Sequence, residues 1–377
     1  MPRRATKRGA ARTPLDRDCD VLICGASFAG LAVARELAGS GAGVLIVDRY
    51  EIGERQTSAC GIPTAWLEAM GLQESIKQTF GELVIHTPHI SVRYDLPWTF
   101  STFDYRTLCE QLAGQGSFEF ETAKVGGRAA QTVLTDRGEV RSPLIVDALG
   151  WRRILGRGEN IQPPDALLSR GLEVHPNGRG SDMEIWIDRS YVPAGYGWSF
   201  PAGDELRIGV GSFDPRFHVR EPTERLALDL GSERVRYQGN WIPHALRDGT
   251  EDGVFFAGDS AGHCLPLTAE GIRTALYFGI ACGRELRGVL HGSQSREQAL
   301  SRYHAFSESH AMPFRWMLRA QRLVPSVAPA LLSGSIRAIE RSKRFIDWSF
   351  GHYLNVAHPD FVKQHRHAPA LELAGAL

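Results

Sequence analysis

The chain has 377 residues, which is more than one hydrophobic core usually holds, so two domains are predicted. Lysine plus arginine and aspartate plus glutamate number 43 each, so the formal net charge is zero and no nucleic-acid surface is indicated. The six cysteines form no C-x-x-C pair and the 13 histidines show no ligand spacing, which predicts free thiols in a reducing cytosol and no metal site.

The N-terminal residues 1–19 are basic and contain few apolar side chains. No apolar segment of the kind found in signal peptides follows them, so a disordered tail is expected. No run in the chain approaches the roughly 18 apolar residues of a transmembrane helix. The sequence therefore predicts a cytoplasmic protein.

Residues 20–48 show the strand–turn–helix–strand pattern of a dinucleotide site. The expected spacing is G-x-G-x-x-G, with an acidic residue about 20 positions further on. Gly25 allows the tight turn, Gly30 lets the helix approach the strand, and Asp48 is placed for a ribose hydroxyl. Ser27 stands where the middle glycine is expected, but it is small and its hydroxyl can itself donate to a phosphate.

The middle of the chain consists of short strands and turns. Residues 82–100 contain β-like runs, residues 104–112 predict a short helix, and strands between 118 and 146 lead to Asp147 at another strand end. Residues 167–213 predict antiparallel strands rich in aromatic side chains. This last segment is the candidate substrate sheet.

Residues 254–279 return to the nucleotide-binding pattern. A short apolar strand runs into Gly258-Asp259, which places a carboxylate at the edge where open α/β sheets bind ligands. Pro266 is expected in the first turn of the next helix. The free N–H groups and positive dipole end of that helix would then face an electron-rich group.

Strand-end acids at Asp48, Asp147 and Asp259 indicate one nucleotide domain assembled from separated pieces, with the substrate domain inserted between them. The predicted segments are a tail at 1–19, the nucleotide-binding domain at 20–75, 101–160 and 242–294, the substrate domain at 76–100 and 161–241, and a C-terminal helical region at 295–377.

These segments resemble the geranylgeranyl reductase family of FAD-dependent oxidoreductases, a branch of the p-hydroxybenzoate hydroxylase-like flavoproteins, over about residues 18–292. The longest shared motifs are residues 195–201, similar to Y-x-W-x-F-P, and residues 258–271, similar to G-D-x-A-G…P-L-T-x-E-G-I. Further matches are the fingerprint with Asp48, the D-x-x-G element at 147–150 with Trp151-Arg152-Arg153 after it, the G-x-G run at 208–211, and the C-G element at 58–61. Ser27 and the residues beyond about 295 depart from the family pattern.

The resemblance implies FAD as cofactor and an α/β fold, with a Rossmann-like FAD-binding domain, an inserted antiparallel β-sheet substrate domain and a C-terminal helical region. It also implies that Asp259 serves the ribityl–phosphate part of FAD. Arg55 either holds FAD phosphate or adenosine or is a surface arginine. The predicted cofactor-binding residues are Gly25, Ser27, Gly30, Asp48, Arg49, Arg55, Arg106, Asp147, Gly150, Gly258, Asp259, Pro266 and Gly271.

Cys60, Tyr196 and Trp198 are the candidate catalytic residues. Tyr196 and Trp198 are two positions apart in a predicted strand, so they share a face that either lines the substrate cavity or belongs to the ordinary core. Cys60 is either at the flavin face or a small buried hydrophobic residue.

The resemblance implies hydride transfer from reduced flavin to a carbon–carbon double bond of a polyprenyl or similar apolar small molecule. An external electron donor, NAD(P)H or a redox protein, would reduce the flavin. The alternative is a flavin monooxygenase that hydroxylates an aromatic or polyketide-like metabolite. A third hypothesis is a nonenzymatic escort of prenylated proteins, which would carry no flavin.

The C-terminal region mixes aromatic and basic residues, among them Phe314, Trp316, Arg319 and Trp348. Basic amphipathic helices of this kind lie on membrane surfaces, so peripheral membrane contact is one interpretation. A helix packed on the FAD-binding domain, with arginine stems along its surface, is the other.

Overall fold

The computed structural model describes residues 13–56, 58–157 and 165–364. The strands, in chain order, are β1 Arg17–Asp18, β2 Val21–Cys24, β3 Val44–Asp48, β4 Gly61–Pro63, β5 Ile76–His86, β6 Ser91–Phe103, β7 Glu119–Thr122, β8 Val125–Ala129, β9 Thr132–Thr135, β10 Gly138–Arg141, β11 Leu144–Asp147, β12 Leu168–Val174, β13 Met183–Trp186, β14 Gly195–Pro201, β15 Leu206–Ser212, β16 Gln238–Pro243, β17 Thr250–Glu251 and β18 Val254–Phe256. The α-helices are α1 Phe28–Leu37, α2 Thr64–Met70, α3 Tyr105–Gly114, α4 Arg220–Asp229, α5 Ile272–Leu290, α6 Arg296–Ser309, α7 Ala311–Leu323, α8 Pro329–Glu340, α9 Lys343–Asn355 and α10 Asp360–Lys363.

A largely parallel six-stranded sheet has the order β17-β18-β11-β2-β3-β7. Its central strands are apolar and almost wholly buried, as expected for parallel strands that are covered on both faces. Asp147 pairs in register with Cys24 on one side and with Phe256 on the other. The strand ends that carry the nucleotide motifs therefore meet at one edge of the sheet, as the sequence predicted.

Alternate residues of these strands enter two different cores. Ile23 and Val146 pack with helices α1, α3 and α5, whereas Leu22 and Ile145 pack on the side of the four-stranded sheet β1-β10-β9-β8. The division follows the period of two along a strand.

Helices α1 and α5 approach each other closely. A Cβ atom placed on Gly279 would lie 2.7 Å from the Ala29 carbonyl oxygen, and one on Gly283 would lie 2.6 Å from the Glu36 Cβ. Glycine at these two positions lets α5 lie directly on α1. The turn at residues 25–30, here called the fingerprint turn, precedes and begins α1.

The inserted domain is an eight-stranded sheet in the order β16-β12-β15-β14-β13-β5-β6-β4. All neighbouring strands are antiparallel except the β13–β5 pair. One face of its β12–β15–β14 part is covered by α4, where Val174, Ile208, Val210 and Leu226 form a small core. The opposite face of that part is free to meet the FAD-binding domain.

The C-terminal helices contact both domains. Arg273 of α5 is fully buried and donates hydrogen bonds to the backbone oxygens of Leu354 and Ala357. Tyr94 of β6 donates to the Ile336 carbonyl at 2.6 Å, and Ile336 and Ile346 pack beside it. The predicted helical character of this region is confirmed.

Two details differ from the sequence predictions. Residues 13–19 are not a tail, because Leu15 is buried and β1 pairs with β10; residues 1–12 lie outside the described residues. Helix α5 begins at Ile272, not near Pro266, because Ala269 has a φ of +52°, which a right-handed helix excludes.

The domain boundaries themselves stay a prediction. Residues 158–164, which span one predicted boundary, and residues 365–377 of the C-terminal region lie outside the described residues.

Candidate active site

The fingerprint turn is built so that only glycine fits at its two ends. Gly25 has a φ of +112°, and a Cβ there would lie 2.2 Å from the Ala148 carbonyl oxygen. A Cβ on Gly30 would lie 1.9 Å from the Gly25 carbonyl oxygen. Helix α1 starts directly after Ser27, and the Ser27 side chain makes no capping hydrogen bond to it. Its first amides are therefore left for an anion such as a pyrophosphate.

Ser27 shares a hydrogen bond of 3.1 Å with the hydroxyl of Tyr105, at the start of α3. The serine that replaces the middle glycine is thus tied to a neighbouring helix. The sequence pattern gave no sign of Tyr105 as its partner.

Asp48 lies at the end of β3 and organises the turn. Its carboxylate accepts from the backbone amides of Ala26 at 2.8 Å and Tyr50 at 3.0 Å. Burial raises the pKa of Asp48, and these two amide bonds oppose that rise. A carboxylate has about four acceptor sites, so capacity remains for a ribose hydroxyl.

Three predicted basic residues lie near this strand end. Arg49 and Arg55 place their guanidinium groups 4.8 Å and 5.2 Å from the centre of the Tyr50 ring. A Cβ on Gly53 would lie 2.9 Å from the Cα of Arg106. Arg49, Arg55 and Arg106 are all exposed, so they stand at the surface where the adenosine and phosphate half of FAD is expected.

Asp147 is hydrogen-bonded within the protein, and its cofactor-binding role stays a prediction. It has no exposed surface, and its carboxylate accepts from the amides of Leu149 and Leu155 and from the Ser260 hydroxyl, at 2.7–2.9 Å. Ser260 in turn accepts from the Gly150 amide at 3.1 Å. Asp147 therefore positions the loops at Gly150 and Ser260.

Asp259 has the opposite environment. It is partly exposed, and burial raises its pKa to about 6, with Arg247 opposing the rise. Its carboxylate accepts no hydrogen bond from the residues that the structure describes. Gly258 has a φ of +64° beside Ala29, and a Cβ on Gly271 would lie 3.5 Å from an Asp259 carboxylate oxygen. Asp259 is thus an available acceptor next to the start of α1.

The 265–271 loop, which connects Asp259 to α5, is held from three directions. Tyr196 of β14 donates to the Thr268 carbonyl oxygen, and Gln321 of α7 donates to the Pro266 carbonyl oxygen. Tyr353 of α9 donates to Glu270 and lies 2.7 Å from the Thr268 hydroxyl. Gln321 and Tyr353 lie in the region that matched no family motif, so the sequence could not have identified them.

Tyr196, Trp198 and Phe200 form one face of β14, here called the aromatic face. The ring centres of Tyr196 and Trp198 are 5.9 Å apart. The Trp198 indole lies over a glycine of the next strand, since a Cβ on Gly209 would be 2.3 Å from its Cζ2 atom. Phe200 lies against Gly61 of the C-G element. The aromatic face therefore looks away from α4 and toward the FAD-binding domain.

Cys60 is wholly buried, and its thiol donates to the Ser58 carbonyl oxygen at 3.2 Å. Burial raises the pKa of this thiol far above its ordinary value. Burial therefore disfavours a thiolate at Cys60 and favours the alternative of a small buried residue, and its catalytic role stays a prediction.

A charged cluster that the sequence predictions missed lies beside the aromatic face. Glu173, His175 and Arg207 are each less than 4% exposed, and Glu205 completes the cluster. Arg207 also donates to the Ala59 carbonyl oxygen at 2.8 Å. The available signal was E-x-H and E-x-R on neighbouring strands, where alternation puts both pairs on one face.

The residues at the sheet edge fit FAD. The uncapped start of α1 suits a pyrophosphate, Asp48 suits an adenosine ribose, and Asp259 offers an unused acceptor between the fingerprint turn and the 265–271 loop. Among the described residues no group of His, Cys, Asp and Glu side chains is arranged to hold a metal ion.

Comparisons with known sequences agree with this assignment. The sequence model of the FAD binding domain family matches residues 18–89. Digeranylgeranylglycerophospholipid reductase 2 of Methanopyrus kandleri is 25% identical over 85% of this chain and 90% of its own length. Digeranylgeranylglycerophospholipid reductase 3 of Methanosphaera stadtmanae is 24% identical over 78% of this chain and 83% of its own length.

Solved structures share the fold. A geranylgeranyl bacteriochlorophyll reductase-like protein from Thermoplasma acidophilum gives a TM-score of 0.78 at 17% identity, over 92% of this chain and 98% of that chain. A probable FAD-dependent monooxygenase from Pseudomonas aeruginosa gives 0.60 at 19% identity, over 81% of this chain and 99% of that chain. The predicted resemblance to the geranylgeranyl reductase family, the predicted fold and FAD as cofactor are confirmed.

Proposed function

We propose that this FAD-dependent oxidoreductase of the geranylgeranyl reductase type reduces carbon–carbon double bonds in the polyprenyl chain of a lipid. The observation that carries the proposal is the aromatic face, which meets the 265–271 loop through the bond from Tyr196 to Thr268. A largely apolar wall next to a cofactor loop is suited to an isoprenoid chain. The names of the curated reductases support the same class of substrate.

The aromatic face supplies a flat surface for such a chain. Glycines at 209 and 211 of β15 and at 171 of β12 lie under the Trp198 ring, because a Cβ at each would lie 2.3–3.7 Å from indole atoms. Neighbouring strands thus leave room for the indole to lie across the sheet. We propose Tyr196 and Trp198 as substrate-positioning residues, and Cys60 as a packing residue behind them.

When bound, reduced FAD supplies the hydride for such a reduction. The residues that would hold FAD are Asp48 with the nearby arginines for its adenosine half, Asp259, and the 265–271 loop. Fixing the loop from three elements keeps the hydride donor and the substrate in one geometry, on which hydride transfer depends strongly. An external donor, NAD(P)H or a redox protein, would be needed to reduce the bound FAD.

The test is anaerobic reoxidation of the reduced, purified flavoprotein. Dithionite-reduced enzyme is mixed with geranylgeranyl diphosphate, with a quinone, or with oxygen, and the return of flavin absorbance is followed. We expect the polyprenyl compound to reoxidise the flavin and to gain two hydrogens by mass. Reoxidation by the quinone alone would refute the proposal.

A flavin monooxygenase is the second candidate, because a probable monooxygenase shares the fold over most of its length. Oxygen consumption with NAD(P)H in the presence of an aromatic compound, together with a hydroxylated product, would favour it. Reduction of geranylgeranyl chains by this protein in the absence of oxygen would exclude monooxygenation as its main activity.

We also propose that helix α7 of this enzyme binds to an anionic membrane surface. Met312, Trp316 and Leu323 are 59%, 59% and 63% exposed, and their spacing puts them on one helix face. Arg319 lies over the Trp316 ring at 4.9 Å on the same face. Apolar side chains beside arginines favour the interface of an anionic bilayer. Within the described residues no helix is both long enough and apolar enough to span a bilayer.

Vesicle cosedimentation tests the membrane contact. The protein should bind vesicles of phosphatidylcholine with about one third phosphatidylglycerol, and bind less to phosphatidylcholine alone. Trp316→Ala with Leu323→Ser should weaken binding. Leu228→Ser is the matched control, since Leu228 is 55% exposed on α4 of the inserted domain. Equal loss in the control would contradict the assignment to α7.

A further inference from the structure

The charged cluster of Glu173, His175, Glu205 and Arg207 continues the aromatic face along the sheet. Glu173 pairs across from Gly209, and Gly209 pairs across from Trp198, so Glu173 and Trp198 stand in one row on the same face. His175 follows two residues after Glu173 and therefore lies one row further along that face. The cluster is thus part of the wall that Trp198 belongs to.

Hydrogen bonds join these residues into a continuous chain. The Trp198 Nε1–H donates to a Glu173 carboxylate oxygen at 3.3 Å. His175 Nε2 lies 2.9 Å from the other Glu173 oxygen, and His175 Nδ1 lies 3.2 Å from Glu205. The Glu205 side chain is 26% exposed, whereas those of Glu173 and His175 are 4% and 2% exposed. The chain therefore runs from a partly exposed carboxylate to the aromatic face.

The electrostatics favour a protonated imidazole inside this chain. Burial acts to lower the pKa of His175, but the hydrogen bonds and charges of Glu173 and Glu205 outweigh it and raise the pKa. Burial also acts to raise the pKa of Glu205, but His175 and Arg207 lower it to about 2. The other charged or titratable groups facing the cluster are Arg236, 3.6 Å from Glu205, and the Cys60 thiol near Arg207.

Reduction of a double bond needs a proton as well as a hydride, and the neighbouring acids are poor sources. Burial raises the pKa of both the Cys60 thiol and the Tyr196 hydroxyl, and that hydroxyl already donates to Thr268. Glu173 is a carboxyl group on the same face with a hydrogen-bonded connection to solvent. It has the connection that a repeatedly used proton donor requires.

We propose that Glu173 and His175 form a proton path that supplies the proton of this reduction; the inference rests on the proposed function. The O–H bond of a protonated Glu173 breaks, and a C–H bond forms at the carbon that does not receive the hydride. His175, as an imidazolium, returns its Nε2 proton to Glu173 and keeps its Nδ1 proton. The neutral ring then turns so that its unprotonated nitrogen faces Glu205, through which solvent restores the imidazolium. The two electrons come from flavin already reduced by the external donor, so charge and electrons balance.

Single-turnover kinetics test the proton path. Dithionite-reduced enzyme is mixed anaerobically with geranylgeranyl diphosphate across a range of pH, and flavin reoxidation is recorded. We expect Glu173→Gln to slow reoxidation by roughly 10²–10⁴-fold, as for loss of a general acid. The wild-type rate should fall as pH rises through the raised pKa of His175, and His175→Asn should be slow without that fall. Glu173→Asp should recover part of the rate.

Glu184→Gln is the matched control. Glu184 lies 3.1 Å from His86 in the same sheet, but it pairs opposite Ser199 and so faces away from Trp198. This variant should reoxidise at the wild-type rate and with the wild-type pH profile. A Glu173→Gln variant within threefold of wild type would overturn the proposal. Slow turnover with an unchanged pH profile and lost flavin would overturn it too, because that pattern indicates a structural role.

A second readout needs no turnover. In the cofactor-free protein, ¹⁵N NMR titration of the imidazoles should show one histidine, absent in His175→Asn, that stays protonated above the ordinary range. Glu173→Gln should lower its midpoint, since one of its two carboxylate partners is removed. An unchanged midpoint would overturn the proton path. If wild-type enzyme reduces no polyprenyl chain, the proposed function fails, and the titration still reports separately on the Glu173–His175 coupling.

Discussion

At the scale of single residues, three aspartates at neighbouring strand ends have different roles. Asp147 is buried and fully hydrogen-bonded, Asp48 holds two backbone amides of its own turn, and Asp259 keeps a carboxylate without a partner among the described residues. Asp48 and Asp147 both end their strands, so the difference between these two arises from which backbone amides each carboxylate meets. Asp259 lies three residues after its strand, in the Gly258–Ala261 turn. Substitution should separate the roles.

Asp259→Ala should lower FAD affinity but not the stability of the cofactor-free protein. Because its pKa is raised to about 6, Asp259 favours the fold below about pH 4, and this contribution is lost as pH rises through about 6. At pH 7.5 the variant should therefore be as stable as wild type or more so, by at most ~3 kcal/mol. FAD affinity should fall about 5- to 100-fold, the equivalent of ~1–3 kcal/mol for one lost acceptor.

Asp48→Ala is the comparison, measured by urea unfolding and FAD titration. It leaves the amides of Ala26 and Tyr50 without their acceptor, so the cofactor-free protein should lose about 1–3 kcal/mol of unfolding free energy. Equal destabilisation in both variants would contradict the distinction drawn here.

Trp198→Ala should impair turnover while FAD stays bound. The indole lies over Gly209 of the inserted sheet, away from the fingerprint turn, and forms the wall proposed for the substrate. Gly209→Ala should also impair turnover but lower the stability as well, because the new Cβ would lie 2.3 Å from the ring and 2.6 Å from the Leu172 carbonyl oxygen. Flavin content, melting temperature and single-turnover reoxidation are measured together. A loss of about 3–5 kcal/mol in stability would instead identify Trp198 as core.

At the scale of elements, α5 serves both the fold and the site. It lies on α1 through Gly279 and Gly283, and it continues the 265–271 loop. Because α1 also carries the fingerprint turn, a change in the distance between the two helices reaches the cofactor site directly.

Gly279→Ala should therefore cost about 1–3 kcal/mol of stability and weaken FAD binding, since its Cβ would lie 2.7 Å from the Ala29 carbonyl oxygen. Gly334→Ala in α8 is the control, because its Cβ would meet no atom within 4 Å. That change should stabilise the protein by about 0.5–1 kcal/mol through helix propensity. Thermal unfolding of both variants measures these stability changes. A Gly279→Ala variant as stable as wild type would mean that α1 and α5 can move apart.

Tyr353→Phe should weaken FAD binding although Tyr353 belongs to the C-terminal region. Its hydroxyl bonds Glu270 and Thr268, so its loss frees one of the three attachments of the 265–271 loop. Tyr237→Phe is the control, since it removes a tyrosine–glutamate bond at the exposed surface of the inserted domain. FAD titration should show weaker binding in the first variant and no change in the second. Equal affinity in both would exclude a role for α9 in holding the loop.

At the scale of the whole molecule, the cofactor site joins segments that are far apart in the chain. The fingerprint turn, the Gly150 loop and the Gly258–Ala261 turn meet at one sheet edge, and the C-terminal helices support the 265–271 loop. A ligand that contacts all these segments stabilises them as a unit.

FAD should therefore raise the melting temperature of the cofactor-free protein more than FMN at the same concentration. Asp48 is placed for an adenosine ribose, which FMN lacks, and stabilisation grows with the logarithm of ligand concentration over Kd. Mass analysis of the cofactor released from purified protein should identify FAD. An equal shift with FMN would contradict the role of Asp48.

Local pattern alone determined the nucleotide half of this protein. The motif consists of buried strands that end in Asp48 and Gly258-Asp259, with glycines at Gly25 and Gly30. Few other residues fit the backbone geometry at these glycines, so the motif can be recognised from the sequence. The same local logic predicted the shared face of Tyr196 and Trp198. It was wrong for the start of α5.

The tertiary structure decided what depends on partners distant in sequence. The Asp147 carboxylate accepts hydrogen bonds from backbone amides, whereas the Asp259 carboxylate remains available to a ligand. This difference depends on how loops from separate parts of the chain meet. The charged cluster around His175 and the attachment of the 265–271 loop by Gln321 and Tyr353 also join segments with no local signal. Hydrogen bonds and ion pairs act over a few ångströms in space, and a sequence records only distances along the chain.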